Sequence, residues 1–355
     1  MILPCIFFAG IAFLIFSLLS LCRFVKKQKL PNSKYFMDIH KYAMDTKTAA
    51  IVTGRANPEL AQRIAEELGM NLLEVEIAQF KDGEIQAYYN ETIRGKYVFI
   101  IQPTFAPAEN LIELLILIDA AKRASAYKII AVMPYFGYAR QDRKDRPRTS
   151  IGAKLMANLL SAAGVDRVIT MDLHADQIQG FFEIPVDHLY SSNVFYPYIQ
   201  SLQLDNLCMV SPDTGGTKRA STYAKILNCD LAIGFKNREK QNEVSTLQII
   251  GDVKDKNCII VDDIIDTGGT LIKAANKLKE HGAKSVMAMC THGLLSGNGL
   301  QNIENSTIDK LILTDTIPLK QKSDKVEIVT VTHLLAEVIK SVMERTSIST
   351  YFEFR

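Results

Sequence analysis

The 355-residue chain has no tryptophan, which decides nothing, and no C-x-x-C pair among its six cysteines, which decides more. Cys5, Cys22, Cys208, Cys229, Cys258 and Cys290 offer neither a zinc frame nor a disulfide lattice. The last four sit in apolar stretches and read as small core hydrophobes in a reducing compartment. A charge excess is missing too: 41 Lys+Arg against 39 Asp+Glu leave a net of +2. Neutralising many phosphates needs a broad cationic excess, so no nucleic-acid partner is expected, whereas a local cationic site for a small phosphorylated ligand remains open. There is no G-x-x-x-x-G-K loop and no kinase catalytic or D-F-G motif, which excludes the common nucleoside-triphosphate folds. Short repeats and low-complexity segments are absent. With 48% hydrophobic and 23% charged residues, the composition is that of a folded protein, and the length predicts two domains.

Charge is lacking in a different way from Met1 to Cys22, where no residue is ionisable as Asp, Glu, Lys or Arg. A helix over Ile2–Cys22 would span about 31 Å, enough for a bilayer core. The first cations, Arg23, Lys26, Lys27 and Lys29, follow the apolar run, the reverse of a cleaved signal peptide. Cations on that side keep the body of the chain in the cytoplasm. Two readings stand. Residues 1–22 form a hydrophobic membrane anchor, tethering the chain through residues 2–22, or the true start lies downstream, at Met37 or Met44. Residues 23–47 read as a linker.

From Ala49 the pattern alternates short apolar strands with amphipathic helices. Strands are expected at Ala49–Thr53, Tyr97–Gln102, Lys128–Pro134, Arg167–Met171, Leu207–Ser211, Leu231–Phe235, Cys258–Val261, Ser285–Cys290, Ile308–Leu313 and Val326–Val329. Asn57 followed by Pro58 reads as a helix start, and Tyr135–Ser150 as a long polar loop. All-apolar strands alternating with helices imply mostly parallel sheets covered on both faces, an α/β fold. Two such units fit the length, residues 48–190 and 191–345, followed by a tail, 346–355.

The strongest chemical signal is the run Cys258-Ile259-Ile260-Val261-Asp262-Asp263-Ile264-Ile265-Asp266-Thr267-Gly268-Gly269-Thr270. An apolar strand ends in two carboxylates, and a tight Thr/Gly turn then opens a helix. Ligands of open α/β sheets gather at the carboxyl ends of strands. Glycines admit close backbone approach, and the helix start offers free N–H groups to a phosphate. Carboxylates suit paired ribose hydroxyls, so the run reads as a cradle for ribose 5-phosphate. Cations for further phosphates stand at Arg140, Arg143 and Lys144 on one loop and at Lys236 and Arg238 on another. By themselves these sets read more readily as solvated charged turns, and only beside the ribose cradle does the balance favour phosphate binding. His174 follows an apolar strand, and Asp213-Thr214-Gly215-Gly216-Thr217 forms a second Gly turn before a helix.

The Asp262–Thr270 run resembles the signature shared by type I phosphoribosyltransferases and phosphoribosyl pyrophosphate synthetases. Tyr138-Ala139-Arg140-Gln141-Asp142-Arg143-Lys144, Met171-Asp172-Leu173-His174-Ala175-Asp176 through Phe182, Ser211-Pro212-Asp213-Thr214-Gly215-Gly216, Phe80-Lys81-Asp82-Gly83-Glu84 and Gly251-Asp252-Val253-Lys254 resemble the synthetase, or ribose-phosphate pyrophosphokinase, of the bacterial class I type. The resemblance runs from Ala49 to Phe352 and leaves out residues 1–43. It implies two tandem phosphoribosyltransferase-type domains, an ATP side followed by a ribose 5-phosphate side. It implies that Phe80, Asp82 and Glu84 bind adenine across a subunit boundary, supported by Gln141 and Asp145, and that Arg140 clamps the triphosphate. His174 and Asp213 are implied to hold the Mg2+ of MgATP. Lys236 and Arg238 are the implied catalytic cations, and Asp262, Asp263, Asp266, Thr267, Gly268, Gly269 and Thr270 the ribose 5-phosphate site. A homo-oligomer built from dimers, a hexamer by resemblance, is implied as well.

The implied reaction transfers the diphosphoryl group of MgATP to the anomeric hydroxyl of ribose 5-phosphate, with the Arg140–Ser150 loop as a lid. Thr92, Arg94, Arg148, Ser347 and Ser349 match an allosteric anion site of the family. Pro147 and Ser150 depart from the family pattern beside it. The competing readings are a type I phosphoribosyltransferase, which needs neither a second α/β half nor the Arg140–Lys144 loop, and a non-catalytic regulatory subunit, which should have lost the catalytic positions retained here. A membrane-tethered scaffold accounts for the N-terminus alone.

Overall fold

A computed structural model describes residues 48–237 and 246–351. The expected anchor, the alternative starts and the linker lie outside the described residues, as do Arg238, Cys5 and Cys22.

The first half is built on a parallel sheet in the order β1 (Ala49–Thr53), β4 (Tyr97–Ile101), β5 (Lys128–Met133), β6 (Arg167–Met171) and β7 (Val186–Leu189). Apart from β7, these strands have apolar interiors, as strands covered on both faces must. Helix α1 (Pro58–Glu67) starts as its sequence dictates, with the Asn57 side chain accepting from the Leu60 N–H and Pro58 in the first turn. Helix α2 (Glu109–Arg123) buries Leu111, Leu114, Leu117, Ile118 and Ala121 on one face. Each large aliphatic side chain so buried stabilises the fold by about 1.5–3 kcal/mol. Helix α3 (Gly152–Ala163) stops at Gly164, whose φ of +110° a side chain would resist.

The second half carries seven strands in the order β10 (Thr246–Ile250), β9 (Asp230–Asn237), β8 (Leu207–Ser211), β11 (Asn257–Ile265), β12 (Ser285–Gly293), β13 (Lys310–Thr314) and β14 (Val326–Val329). All neighbours are parallel except β10 on β9 at one edge. Helices α4 (Ser192–Ser201), α5 (Thr217–Leu227), α6 (Gly269–Glu280), the short α7 (Gly299–Glu304) and α8 (Thr332–Glu344) complete it. The four described cysteines are unpaired, with Cys208, Cys258 and Cys290 buried and Cys229 half-buried.

Five features depart from the sequence expectation. The antiparallel pair β2 (Val75–Gln79) and β3 (Ile85–Tyr89) is not among the expected strands, because both are mixed in polarity, and β3 packs on α2 rather than inside a sheet. Strand β7 escaped notice because it carries Asp187 and His188 in its middle, both buried. Strand β10 and helix α7 are short and lack a clean period. Strand β11 does not end at Val261: pairing of Ile264 with His292 and Ile265 with Gly293 carries it through both carboxylates.

The chain passes from one sheet to the other between Leu189 and Leu207. The halves are nevertheless tied together at several points. Helix α8 packs against α1, and Arg63 of α1 reaches Asp315 at 2.8 Å and Thr332 at 3.4 Å. At the centre, the Asp172 carboxylate accepts the hydroxyls of Ser191 and Thr291, and His292 Nε2 donates to the carbonyls of Met171 and Asp172 at 3.2 and 3.3 Å. Among the described residues no helix is long and apolar enough to cross a membrane.

Candidate active site

The carboxyl ends of β6, β8 and β11 open onto one cavity of about 670 Å³. Its wall includes Arg140, Arg143, His174, Asp213, Asp262, Asp263 and the Asp266–Thr270 turn. A parallel sheet places loops from successive strands side by side at this end, which is why residues distant in sequence converge here.

The Asp266–Thr270 turn is shaped by Gly268, whose φ of +82° is left-handed. Helix α6 begins directly after it, so its unpaired N–H groups face the cavity. The second Gly turn is held by Asp213, whose Oδ1 accepts from the N–H of Gly215 at 2.9 Å and of Gly216 at 3.4 Å.

The centre of the site is an ionic cluster. Asp263 Oδ2 lies 2.8 Å from His174 Nδ1, and Asp263 Oδ1 lies 3.1 Å from Arg219 Nη1. Asp262 Oδ1 stands 3.6 Å from the same guanidinium and accepts the Asp263 N–H at 2.9 Å. Burial, reinforced by the neighbouring Asp263 charge, pushes the Asp262 carboxyl up to about 8. Burial also works on Asp263, but the His174 hydrogen bond and the Arg219 charge outweigh it and hold that carboxyl below its ordinary range. His174 is raised by its hydrogen bond to Asp263. Arg219 is buried at a cost to its charge, yet the carboxylates of Asp263, Asp172 and Asp262 raise it above its ordinary value. Across the cavity, Arg140 Nη1 meets Asp266 Oδ2 at 3.0 Å.

Arg219 is the residue that sequence reading missed. It lies on α5, one turn before the fully buried Tyr223. A cation at the margin of a buried helix face, just beyond a Gly turn, was the available signal. Other expected residues stand apart. Phe80, Asp82 and Glu84 form the exposed tip of the β2–β3 hairpin, where Phe80 N–H bonds the Glu84 carbonyl, and they do not line the cavity of their own chain. Gln141 and Asp145 also lie outside its wall, Gln141 accepting from Ser150 at 3.5 Å. The backbone of Lys236 is near the end of β9, paired opposite Leu247. Thr92, Arg94 and Arg148 are exposed, and Ser347 and Ser349 are joined by a 2.9 Å hydroxyl contact.

Comparison with known proteins gives this arrangement its family. Residues 49–164 match the N-terminal domain of ribose phosphate pyrophosphokinase, and residues 236–353 match the phosphoribosyl synthetase-associated domain. A ribose-phosphate pyrophosphokinase of Porphyromonas gingivalis is 52% identical over 306 residues, covering 86% of this chain and 98% of that one. The chain belongs to the ribose-phosphate pyrophosphokinases. One from Campylobacter jejuni is 54% identical over 303 residues, 85% of this chain and 98% of the relative. The crystal structure of phosphoribosylpyrophosphate synthetase from Mycobacterium smegmatis superimposes with a TM-score of 0.79 at 39% identity, covering 84% of this chain and 99% of that one. The two sheets are thus the tandem phosphoribosyltransferase-like domains of this family of enzymes.

Proposed function

We propose that the cavity binds MgATP and ribose 5-phosphate together and transfers the diphosphoryl group to the sugar. The anomeric oxygen attacks the β-phosphorus, the bond from that phosphorus to the oxygen bridging it to the α-phosphate breaks, AMP leaves, and the hydroxyl proton passes to solvent. The observation that carries this reading is the approach of the Arg140 loop of the first half to the Asp266–Thr270 turn of the second, around a single cavity. A nucleotide held by one half and a sugar phosphate held by the other would meet there.

The N–H groups at the start of α6, with Thr267 and Thr270, suit the 5-phosphate. Asp262 suits the ribose hydroxyls. Arg140 and Arg143 suit the nucleotide phosphates, and Lys236 and Arg238 are the cations assigned to the charge that spreads in transfer. Catalysis rests on in-line positioning and charge, with no covalent intermediate on the protein.

His174 and Asp213 both line the cavity, and among the described residues no three acidic or histidine groups form a ready metal cage. Of the two, Asp213 supplies the oxygen ligand that Mg2+ prefers, and the ion keeps waters and takes phosphate oxygens beside it; the His174 imidazole fits such an ion through a bound water rather than as a direct ligand. When bound, the ion neutralises phosphate charge. The exposed Phe80–Glu84 tip, which does not line the cavity of its own chain, supports an adenine site completed by a second copy, and hence a homo-oligomer. Lys236→Ala tests the assignment: kcat should fall by about 10²–10³ while ribose 5-phosphate affinity holds. Equal loss of both would make Lys236 a binding residue.

A further inference from the structure

Asp262 and Asp263 are neighbours in sequence, but their side chains are placed differently. The Asp263 side chain is 7% exposed, against 24% for Asp262. One Asp263 oxygen is engaged by the His174 imidazole and the other by the Arg219 guanidinium. His174 is 42% exposed at the cavity, and its Nδ1 is the atom turned inward to the carboxylate. Among the described residues no hydrogen bond engages its Nε2.

The backbone leading into His174 is fixed from the other half and from β7. Asp172, at a φ of +34°, has its carboxylate held by Ser191 and Thr291 and its carbonyl by His292. The Leu173 N–H donates to His188 Nε2 at 2.9 Å. With the backbone held this way, the remaining freedom of His174 is rotation of its ring, and the carboxylate contact removes it. An imidazole tied through one nitrogen to a carboxylate presents the other in a set direction.

We infer that Asp263 is a positioning residue for His174 rather than a ribose ligand. It makes Nδ1 the donor and turns Nε2 toward the nucleotide phosphates, while Arg219 braces the carboxylate from the opposite side. Ribose hydroxyls are left to Asp262. The inference rests on the function proposed above.

Calorimetric titration of the full chain separates these roles, using ribose 5-phosphate alone and, separately, α,β-methylene-ATP with magnesium. Asp263→Asn should keep ribose 5-phosphate affinity within about threefold and lose roughly tenfold or more for the nucleotide analogue. Asp262→Asn should show the opposite order. His174→Ala should behave as Asp263→Asn does, and the double variant should bind the analogue no more weakly than either single one, because both changes remove one interaction. A loss of ribose 5-phosphate affinity in Asp263→Asn as large as in Asp262→Asn, or additive losses in the double variant, would overturn the assignment. Should Asp263→Asn fail to fold, His174→Ala decides: it leaves the carboxylate in place, and a roughly tenfold loss for the sugar phosphate would make the pair a ribose device. A wild-type chain that binds no ribose 5-phosphate would instead remove the functional reading itself.

Discussion

Arg140 and Asp266 form an ion pair across the two halves of the chain, Nη1 to Oδ2 at 3.0 Å. Asp266 is held below the ordinary carboxylate range, first by a hydrogen bond from Ser296 and then by Arg140. The arginine expected to clamp the triphosphate is thus balanced by the turn expected to hold the sugar phosphate. Both side chains are well solvated, at 50% and 33% exposure, so the pair contributes little to stability. Arg140→Ala should cost under about 1 kcal/mol in urea unfolding. It should lower kcat by roughly 10²–10³. Loss of stability without loss of turnover would place Arg140 in a structural role.

Arg219 behaves in the opposite way. It is mostly buried between two carboxylates, and removing one partner of such a cluster leaves uncompensated charge. Arg219→Met should therefore destabilise the fold by about 3 kcal/mol, with Arg219→Lys recovering part of it. Chemical unfolding midpoints measure both. Wild-type stability in Arg219→Met would show that the Asp262–Asp263 pair carries no net charge to balance.

The carboxylate pair also sets a pH dependence. Asp262, raised to about 8, keeps a proton in the folded state that the unfolded chain releases near its ordinary value. The folded state then binds more protons, so stability falls as pH rises between those two values and levels off above the upper one. Asp263 has the opposite sign. Its lowered value contributes stability above the ordinary carboxylate range, and that contribution is lost on acidification. Urea midpoints followed from mildly acidic to alkaline pH should show the alkaline decline in the wild type and not in Asp262→Asn. The same slope in both would assign it elsewhere.

Gly268 is the most constrained point of the Asp266–Thr270 turn. At its φ of +82° a Cβ would be strained and would lie 3.3 Å from Ile303 Cδ1. Gly268→Ala should cost about 1–2 kcal/mol of stability from the left-handed backbone. It should also raise the KM for ribose 5-phosphate more than that for ATP if the turn is the sugar-phosphate seat proposed above. Equal changes in both KM values would contradict that placement.

The helices and buried strands were largely legible. Ala49–Thr53, Arg167–Met171 and Leu207–Ser211 lie where their apolar runs lie, because burial on both faces leaves little other pattern, while Val326–Val329 is a half-exposed edge strand read from its β-branched residues. The Asp262–Thr270 turn was legible because its Thr/Gly chemistry is local. Arg219 and the His174–Asp263 pair were not. Their meaning depends on contacts over 44 and 89 residues of sequence, which no window contains. Likewise β7 hides Asp187 and His188 inside a buried strand: Arg167 satisfies the first with contacts of 2.6 and 2.7 Å, and the Leu173 N–H meets the second.

Transfer of a diphosphoryl group requires attack at the β-phosphorus of ATP and not at the γ. Phosphorus NMR of the full chain with ATP, ribose 5-phosphate and magnesium reads this directly. AMP and a sugar carrying a diphosphate at carbon 1 should form in equal amounts, with no ADP. ADP together with a singly phosphorylated carbon 1 would contradict it, as would turnover appearing only when a nucleobase and the diphosphorylated sugar are supplied.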